Sequence, residues 1–165
     1  MKILAFFLFP TISLASVRVE LYNQIKSNNY KLDDAYISAL VGELEKSCRK
    51  LGVNPFIMAA IFRVESNYKL NAINHNTKDF GIGQVNAYHI MHSKLDAYKL
   101  LYNIEYSTYH SVRIFSWFSK TYSMPEAVMR YNCGTRKACI ELPQVKLYLK
   151  KVKRFLPKSK QFLLN

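Results

Sequence analysis

Acidic side chains are scarce in this chain, and no long apolar run follows its N-terminal segment. Of its 165 residues, 11 are Asp or Glu and 24 are Lys or Arg, so the formal net charge is +13. The absence of a second long apolar run excludes an integral membrane segment after the first one is removed. The basic balance favours anionic partners, such as wall polymers, membrane surfaces or nucleic acid, and says nothing about chemistry.

The sequence also lacks an internal repeat, a low-complexity tract and a convincing pair of strands. These absences exclude repeat architectures and leave a single compact domain that is built almost entirely from helices. The histidines show no ligand spacing with the cysteines, so neither a metal site nor a cofactor is expected. The four histidines are His75, His89, His92 and His110.

Residues 1–15 have the composition of a secretory signal peptide. Lys2 gives a positive start, apolar residues follow at positions 3–9, and Ser13-Leu14-Ala15 offers the small residues that a signal peptidase reads. We predict cleavage after the alanine and a periplasmic or secreted domain at residues 16–165. An uncleaved anchor is the alternative, but the stretch is short for a membrane span and Pro10 interrupts it. Export favours anionic wall polymers or a membrane surface over nucleic acid as the partner.

The chain has three cysteines, an odd count for an oxidising compartment. Cys133 and Cys139 flank a short turn and are predicted to close a small disulfide loop. Cys48 would then be a free thiol, buried on the helix before Gly52. Pairing of Cys48 with either of the other two cysteines stays open at this stage.

Helical periodicity continues along most of the chain after the signal peptide. The predicted helices run from Asp33 or Asp34 to Lys50, from Pro55 to Glu65, from Ala87 to His92, from about Asn103 to Tyr122, from Met124 to Asn132, and from Gln144 to about Phe155. Ser123 and Glu126 have the spacing of a capping box at the start of the fifth helix. Residues 67–84 form a polar loop between the second and third helices. We therefore predict an all-α domain whose core spans about 33–154.

The most conspicuous acid is Glu65, at the end of an apolar helix. Asn54 suits the cap of this helix and Pro55 its first turn, and the body of the helix is apolar almost all round, as in a buried helix. A carboxyl group in such surroundings loses hydration, which raises its pKa. A carboxylic acid that stays protonated near neutral pH is what a glycosidase needs to protonate a leaving oxygen. The alternative is a glutamate that ends the helix and reaches solvent.

Two later segments supply groups that suit a carbohydrate site. Gly81 and Gly83 allow close approach of the backbone to a ligand, and Gln84 offers both a donor and an acceptor to a sugar. Tyr131-Asn132 ends a helix and combines an apolar platform with hydrogen-bonding groups. Taken singly, these features have plainer explanations, because the glycines suit a turn and the tyrosine–asparagine pair suits a buried ring and a helix cap.

In this order, the motifs resemble the soluble lytic transglycosylase (SLT) domain of the goose-lysozyme-like superfamily. Glu65-Ser66 matches the start of the family pattern, Gly81–Gln84 matches its Gly-Leu-Met-Gln loop, and Arg130–Asn132 matches its Ala-Tyr-Asn. Tyr148, which periodicity alone marks as a core aromatic, matches the tyrosine of the closing helix. The resemblance covers roughly residues 33–154. With the signal peptide, the chain looks like the small specialised transglycosylases that accompany secretion systems and pili.

The resemblance implies a role for each matched residue. Glu65 would act first as general acid and then as general base, while the muramoyl 6-hydroxyl attacks C1 and closes a 1,6-anhydro ring. Ser66 would orient Glu65. No second carboxylate and no cofactor is needed, because the substrate itself supplies the nucleophile. The residues around the bound substrate would be Ser66, Gly83, Gln84, Tyr131, Asn132 and Tyr148.

Two positions depart from the family pattern, and one acid adds an alternative. The family's methionine is Gly83 here, which predicts less side-chain packing at the cleft floor. Its alanine is Arg130, which predicts a more basic or bulkier surface. Asp79 lies in a stretch that also resembles animal-type lysozymes. A structural or loop-capping role is favoured for Asp79, and hydrolysis by water with this second carboxylate is the alternative.

The predicted function is that of a periplasmic enzyme that cleaves the β-1,4 bond between N-acetylmuramic acid and N-acetylglucosamine in peptidoglycan. It would open the wall for an envelope-spanning secretion or pilus machine, whose components are candidate partners. One alternative is a lysozyme-type hydrolase. Another is a non-catalytic module that binds glycan or a secretion component. The intact set of matched residues argues against this alternative. A protein that damages membranes or binds nucleic acid by charge alone ranks last.

Overall fold

The computed structural model describes residues 14–165, and residues 1–13 lie outside the described part. Most of the predicted signal peptide falls there, so its cleavage stays a prediction. The α-helices are α1 (Leu14–Asn28), α2 (Asp34–Leu51), α3 (Pro55–Ser66), α4 (Ala87–His92), α5 (Ala97–Tyr102), α6 (Ile104–Thr121), α7 (Met124–Cys133) and α8 (Pro143–Arg154). Two 3-10 helices, Lys137–Glu141 and Lys158–Leu164, lie on either side of α8. The prediction of a single, mainly α-helical domain of lysozyme-like type is confirmed.

Helix α1 is missing from the sequence prediction, which starts the core at residue 33. Leu21 and Ile25, one turn apart on this helix, are fully buried in the core cluster. Arg18 on the same helix donates to the carboxylate of Glu45 on α2 at 2.6 Å. Leu164, in the last 3-10 helix, is also part of the cluster. The packed core therefore extends beyond both predicted boundaries.

Helix α3 is the central helix of the domain. The side-chain oxygen of Asn54 accepts from the backbone N–H of Phe56 at 3.0 Å, and Pro55 occupies the first turn, as the sequence predicts. Every residue at positions 56–62 is buried. Helices α1, α2 and α8 pack around α3. Glu65 is thereby fixed at the point where this helix leaves the core.

Helices α6 and α7 connect α2 to α8 and complete the domain. Helix α6 packs against α2 and α7, and α8 packs against α3 and α7. This arrangement brings the inner face of α8 to the C-terminal end of α3. Within residues 14–165, no helix combines the length and the apolar character that a bilayer crossing requires.

A small antiparallel sheet corrects the expectation that no strands would pair. Its strands are β1 (Ile73–Asn74), β2 (Asp79–Phe80) and β3 (Val85–Asn86), in that order. Ile73 lies opposite Phe80, and Phe80 lies opposite Val85. Strands of two residues are too short to show an alternating pattern, so the polar loop of the sequence gives no sign of them.

The start of α7 differs from its prediction. Ser123 makes no side-chain capping bond, so the predicted capping box does not form. Glu126 instead accepts from Nε of Arg130, one turn along, at 2.9 Å. Arg130 is only 5% exposed, and its guanidinium lies 4.2 Å from the ring centroid of Tyr122. The expected increase in surface basicity at this position is therefore wrong, because the charge is buried and paired.

Candidate active site

Glu65 lies in the last turn of α3, at the wall of an open cleft of about 670 Å³. The other walls come from residues 72–76, which include strand β1, and from Gln84. Helix α3 ends at Ser66 and is capped by Asn67, whose backbone is left-handed (φ 56°). The carboxyl group of Glu65 thus faces the cleft, while the body of its helix stays in the core.

One hydrogen bond from α8 orients the carboxyl group. The hydroxyl of Tyr148 donates to Oε1 of Glu65 at 2.5 Å. Tyr148 is 6% exposed, and burial together with the nearby Glu65 raises the pKa of its phenol well above its usual value. Tyr148 therefore stays a protonated donor. Since it occupies Oε1, the other oxygen, Oε2, is the one that can carry a proton to a ligand.

The pKa of Glu65 is raised from 4.5 to about 7, mainly because burial disfavours its charged form. The Tyr148 hydrogen bond works in the opposite direction, and the negative charge of Asp79 adds to the rise. The effect of burial on the pKa of Glu65 is larger than the effect of the hydrogen bond. A large fraction of the Glu65 carboxyl is therefore protonated at neutral pH, which suits a general acid.

The backbone of the glycine loop, residues 81–84, is held by side chains from three helices. Ser66 on α3 donates its hydroxyl to the carbonyl of Ile82 at 2.7 Å. Ser107 on α6 accepts from the N–H of Ile82 at 3.3 Å, and Tyr131 on α7 donates to the carbonyl of Gly83 at 2.7 Å. The loop is thus fixed relative to the helix that carries Glu65. Ser66 contacts the loop and not the carboxyl group, which differs from the role that the family resemblance implies.

Gly83 is packed so closely that no side chain fits there. A Cβ atom at this position would lie 2.2 Å from Oγ of Ser111 and 2.7 Å from the hydroxyl of Tyr131. The space of the family's methionine is thus occupied by two other residues. The predicted loss of packing at the cleft floor is wrong for that reason. Burial raises the pKa of the Tyr131 phenol, and Glu65 raises it further, so the tyrosine remains a donor.

The two remaining family positions lie at the solvent side. Gln84 lines the cleft with a left-handed backbone (φ 49°), and its amide donates to the carbonyl of Gly81 at 2.9 Å. The amide is thereby fixed, with its oxygen left for a ligand. Asn132, unlike Gln84, does not line the cleft. It is exposed at the end of α7, outside the network around Glu65.

Asp79 lies in strand β2 and is occupied by its neighbours. Asn86 donates to one carboxylate oxygen of Asp79 at 2.6 Å, and the hydroxyl of Thr77 donates to the other. These bonds join the turn of the hairpin to strand β3. The carboxylate is close enough to raise the pKa of Glu65 by its charge, yet both of its oxygens already serve the fold.

A disulfide joins Cys133, the last residue of α7, to Cys139, with their Cα atoms 5.9 Å apart. The bridge closes the turn directly after Tyr131 and Asn132. Cys48 is a buried free thiol, and burial raises its pKa to about 12. Over residues 14–165, no three His, Cys, Asp or Glu side chains are grouped so that they could hold a metal ion.

Two serines of this site carry no signal in the sequence. Ser107 and Ser111 are fully buried, although serine in an amphipathic helix usually marks the solvent face. The only hint is the pair Gly81 and Gly83, which predicts that something approaches the loop closely. The serines lie about 25 residues from the glycine loop along the chain. The sequence therefore does not indicate which helix approaches the loop.

A mainly helical domain with a small sheet and one protonatable glutamate at an open cleft defines the lysozyme-like class of proteins. The sequence model of the family described as Transglycosylase SLT domain matches residues 44–146, and the chain belongs to this family. The match includes Glu65, the glycine loop and Tyr131-Asn132, and it ends just before Tyr148. Members of the family are lytic transglycosylases, so the implied substrate is peptidoglycan. No curated protein and no solved structure matches the chain.

Proposed function

We propose that this chain is a periplasmic or secreted lytic transglycosylase with Glu65 as its single catalytic carboxyl group. It cleaves the β-1,4 bond between N-acetylmuramic acid and N-acetylglucosamine and leaves 1,6-anhydromuramic acid. The observation that carries the proposal is the state of Glu65. Its carboxyl group faces an open cleft, accepts from Tyr148 at 2.5 Å and has a pKa of about 7.

The proposed mechanism uses Glu65 in two proton transfers, and the bond from Tyr148 to Oε1 leaves Oε2 to face the substrate. In the first step, Oε2 of Glu65 gives its proton to the glycosidic oxygen while the bond from that oxygen to C1 of the muramoyl residue breaks. In the second step, the 6-hydroxyl of the same sugar bonds to C1, and its proton passes to the Glu65 carboxylate. The acid is regenerated and no water is consumed. A pKa near neutrality allows one group to serve both steps.

The hydrolase alternative needs a second carboxylate that is free to act. Asp79 accepts from both Asn86 and Thr77, which supports its role in holding the hairpin. The transglycosylase mechanism needs no such group, because its nucleophile belongs to the substrate. These contacts favour transglycosylation over hydrolysis.

The proposal also covers the location of the protein and its partners. The signal-like residues 1–15 and the disulfide between Cys133 and Cys139 both suit an oxidising compartment outside the cytoplasm. In that compartment, the small size of the domain suits local opening of the wall. We include in the proposal that the enzyme serves an envelope-spanning secretion or pilus machine and that components of that machine are its partners.

Mass analysis of the muropeptides released from purified peptidoglycan tests the reaction. We expect products that end in 1,6-anhydromuramic acid, each one water lighter than the corresponding hydrolysis product. Glu65→Gln should keep the fold and lower the rate on the order of a hundred- to ten-thousand-fold, as is typical when a general acid is lost. Glu105→Gln, at an exposed acid on α6, is the matched control and should digest peptidoglycan normally.

Three results would contradict the proposal in different ways. Reducing ends throughout, together with loss of activity in Asp79→Asn, would identify a lysozyme-type hydrolase. Normal digestion by a folded Glu65→Gln protein would remove Glu65 from the mechanism. Binding to peptidoglycan with no release of muropeptides, by the native chain or in the presence of envelope components, would identify a non-catalytic module.

A further inference from the structure

The C-terminal segment, residues 142–165, carries many cationic side chains and contains no Asp or Glu. Its cationic residues are Lys146, Lys150, Lys151, Lys153, Arg154, Lys158 and Lys160. Much of the formal net charge of +13 is therefore concentrated in this part of the chain. A local excess of one sign creates a potential that attracts partners of the opposite sign.

Helix α8 divides this segment into an inner and an outer face. Its inner face is buried in the domain and includes Tyr148, which bonds to Glu65. The exposed residues on the outer side form what we call the basic face: Leu147, Lys150, Lys151 and Arg154. Their spacings of three and four residues place them next to one another on one side of the helix.

The three cations of the basic face have no acidic partner among the described residues. One turn earlier on the same helix, Lys146 pairs with Glu141 at 2.7 Å. Within residues 14–165, no such ion pair forms at Lys150, Lys151 or Arg154. Their charges are therefore available to an anion from outside the domain.

An apolar side chain lies among these cations. Leu147 is 51% exposed, and Lys150 and Lys151 follow it by one turn on the same face. A hydrated anionic polymer would pair with the lysines and leave the leucine in water. The interface of a bilayer suits both, because phosphate groups meet the cations and the acyl boundary accepts the apolar side chain. The combination favours a membrane surface over a polymer in water.

We propose that the basic face of α8 binds the surface of a membrane that contains anionic phospholipids. Lys150, Lys151 and Arg154 contact the lipid phosphates, and Leu147 enters the boundary between headgroups and acyl chains. Tyr148 points to the opposite side of the helix, so its hydrogen bond to Glu65 is kept while the basic face is covered. The contact holds the enzyme at a membrane through a surface that takes no part in the reaction.

Sedimentation with lipid vesicles tests the contact. One set of vesicles is made of phosphatidylcholine, and the other contains an equal amount of phosphatidylglycerol. We expect the native chain to bind the anionic vesicles more tightly, and added salt to weaken that binding. Replacing Lys150, Lys151 and Arg154 together by glutamine should lower the partition coefficient about a hundredfold, at about fivefold for each charge.

Two further variants separate the basic face from net charge and from simple attraction of anions. Replacing Arg49, Lys50 and Lys120 by glutamine removes the same charge from exposed positions on α2 and α6, and should leave vesicle binding nearly unchanged. Leu147→Ser keeps every charge and should weaken vesicle binding several-fold, because its apolar contact is lost. Residues 1–15 are the same in all variants, so their effect on binding cancels in the comparison.

Three outcomes would overturn the proposal. The first is binding of the native chain to anionic vesicles that is no tighter than to phosphatidylcholine. The second is an equal loss of vesicle binding in the two triple variants, which would assign the effect to net charge alone. The third is unchanged vesicle binding in Leu147→Ser together with loss of sedimentation on purified peptidoglycan in the α8 triple variant, measured in the Glu65→Gln background. That result would assign the basic face to a wall polymer.

The same proteins distinguish this proposal from the proposed reaction. The α8 triple variant should digest purified peptidoglycan at the native rate, because the inner face of the helix is unchanged. Release of anhydro products without vesicle binding would overturn the membrane contact alone. Vesicle binding that depends on the basic face, without anhydro products, would support the contact and contradict the proposed function.

Discussion

Two short loops lie next to residues of the candidate site, and they are held in different ways. The glycine loop, residues 81–84, is largely buried, and hydroxyl groups from α3, α6 and α7 bond its backbone. The loop after Asn132 is exposed over residues 135–138 and is closed by the disulfide between Cys133 and Cys139. The first loop is held by close contacts inside the domain, and the second is closed at the surface by a disulfide.

The difference determines what each loop tolerates. A Cβ atom at Gly81 would clash with Ser107, and one at Gly83 would clash with Ser111 and Tyr131, so the groups that contact the loop would have to move. At the surface loop, a lost crosslink increases motion but creates no clash. We therefore expect changes in the glycine loop to abolish activity and changes in the disulfide loop to reduce it moderately.

Among changes to these two loops, the largest effect is expected from Gly83→Ala. Its new methyl group would lie 2.2 Å from Oγ of Ser111 and 2.7 Å from the Tyr131 hydroxyl, so the loop must move. Overpacking of this kind costs about 1–3 kcal/mol, and we expect the upper end here, because the new methyl group would also lie 2.5 Å from Cβ of Ser111, which no change of rotamer can move. A displacement of about 1 Å near the chemistry lowers rates on the order of a hundredfold. Urea unfolding and peptidoglycan digestion measure the two effects.

Gly42→Ala is the matched control for this substitution. Gly42 lies within α2, and a Cβ atom there would meet nothing within 4 Å. We expect unchanged digestion and a gain in stability of up to about 1 kcal/mol from helix propensity. If Gly83→Ala behaves like Gly42→Ala, the glycine loop is not held by the contacts described here.

The family motifs are visible in the sequence because each depends on local chemistry. The apolar run before Glu65 predicts both a buried helix and an acid with a raised pKa, and the structure has both. The cap at Asn54 is predicted from the sequence because a cap bonds to residues two or three positions along the chain, and of the two candidates Asp33 and Asp34 the structure has Asp33 as the cap of α2. Interactions between residues that are close along the chain can therefore be predicted from the sequence.

What the sequence hides depends on contacts between distant segments. Tyr148 reads as a core aromatic by periodicity, and its bond to Glu65 spans 83 residues. The serines at positions 107 and 111 read as solvent-facing, although they support the glycine loop from behind. Helix α1 has a mixed composition, so only its packing against α2 and α3 reveals it as part of the core. In each case the role of the residue depends on a partner that is distant along the chain, so the residue itself does not reveal it.

The second effect is a dependence of stability on pH that comes from Glu65. Its folded pKa of about 7 is raised above the unfolded value of 4.5, so the unfolded chain loses this proton first as pH rises. The stabilisation is complete below pH 4.5 and is lost as pH rises to about 7. The loss amounts to about 3 kcal/mol for the shift shown. Glu65→Gln removes this loss, so the variant should gain stability relative to its parent as pH rises.

Urea unfolding of both proteins at several pH values between 4 and 8 measures this difference. His89 and His110, whose pKa values are lowered mainly by burial, change stability in the opposite direction, but equally in both proteins. Their contribution cancels when the parent and the variant are subtracted. Parallel stability curves for the two proteins would mean that Glu65 is ionised in the folded chain, and the general-acid role would lose its physical basis.

The smallest effect is expected at the surface loop. Replacing Cys133 and Cys139 together by serine removes a crosslink with a sequence separation of 6, for which the chain-entropy model predicts a loss of roughly 2 kcal/mol. The change frees the end of α7, where Asn132 lies. Tyr131 remains fixed by its bond to Gly83, so we expect digestion to fall only a few-fold. Urea unfolding and digestion assays, with and without reductant, measure both quantities.

Cys48→Ala is the control, because it removes the buried thiol and keeps the bridge. It should retain the native response to reductant, whereas the double serine variant should show none. Peptide mapping under non-reducing conditions should find Cys133 linked to Cys139 and Cys48 free. A bond from Cys48 to either partner would contradict this pairing. A loss of activity as deep as that of Gly83→Ala would show that the bridge, and not the packed glycine loop, holds the cleft in its active form.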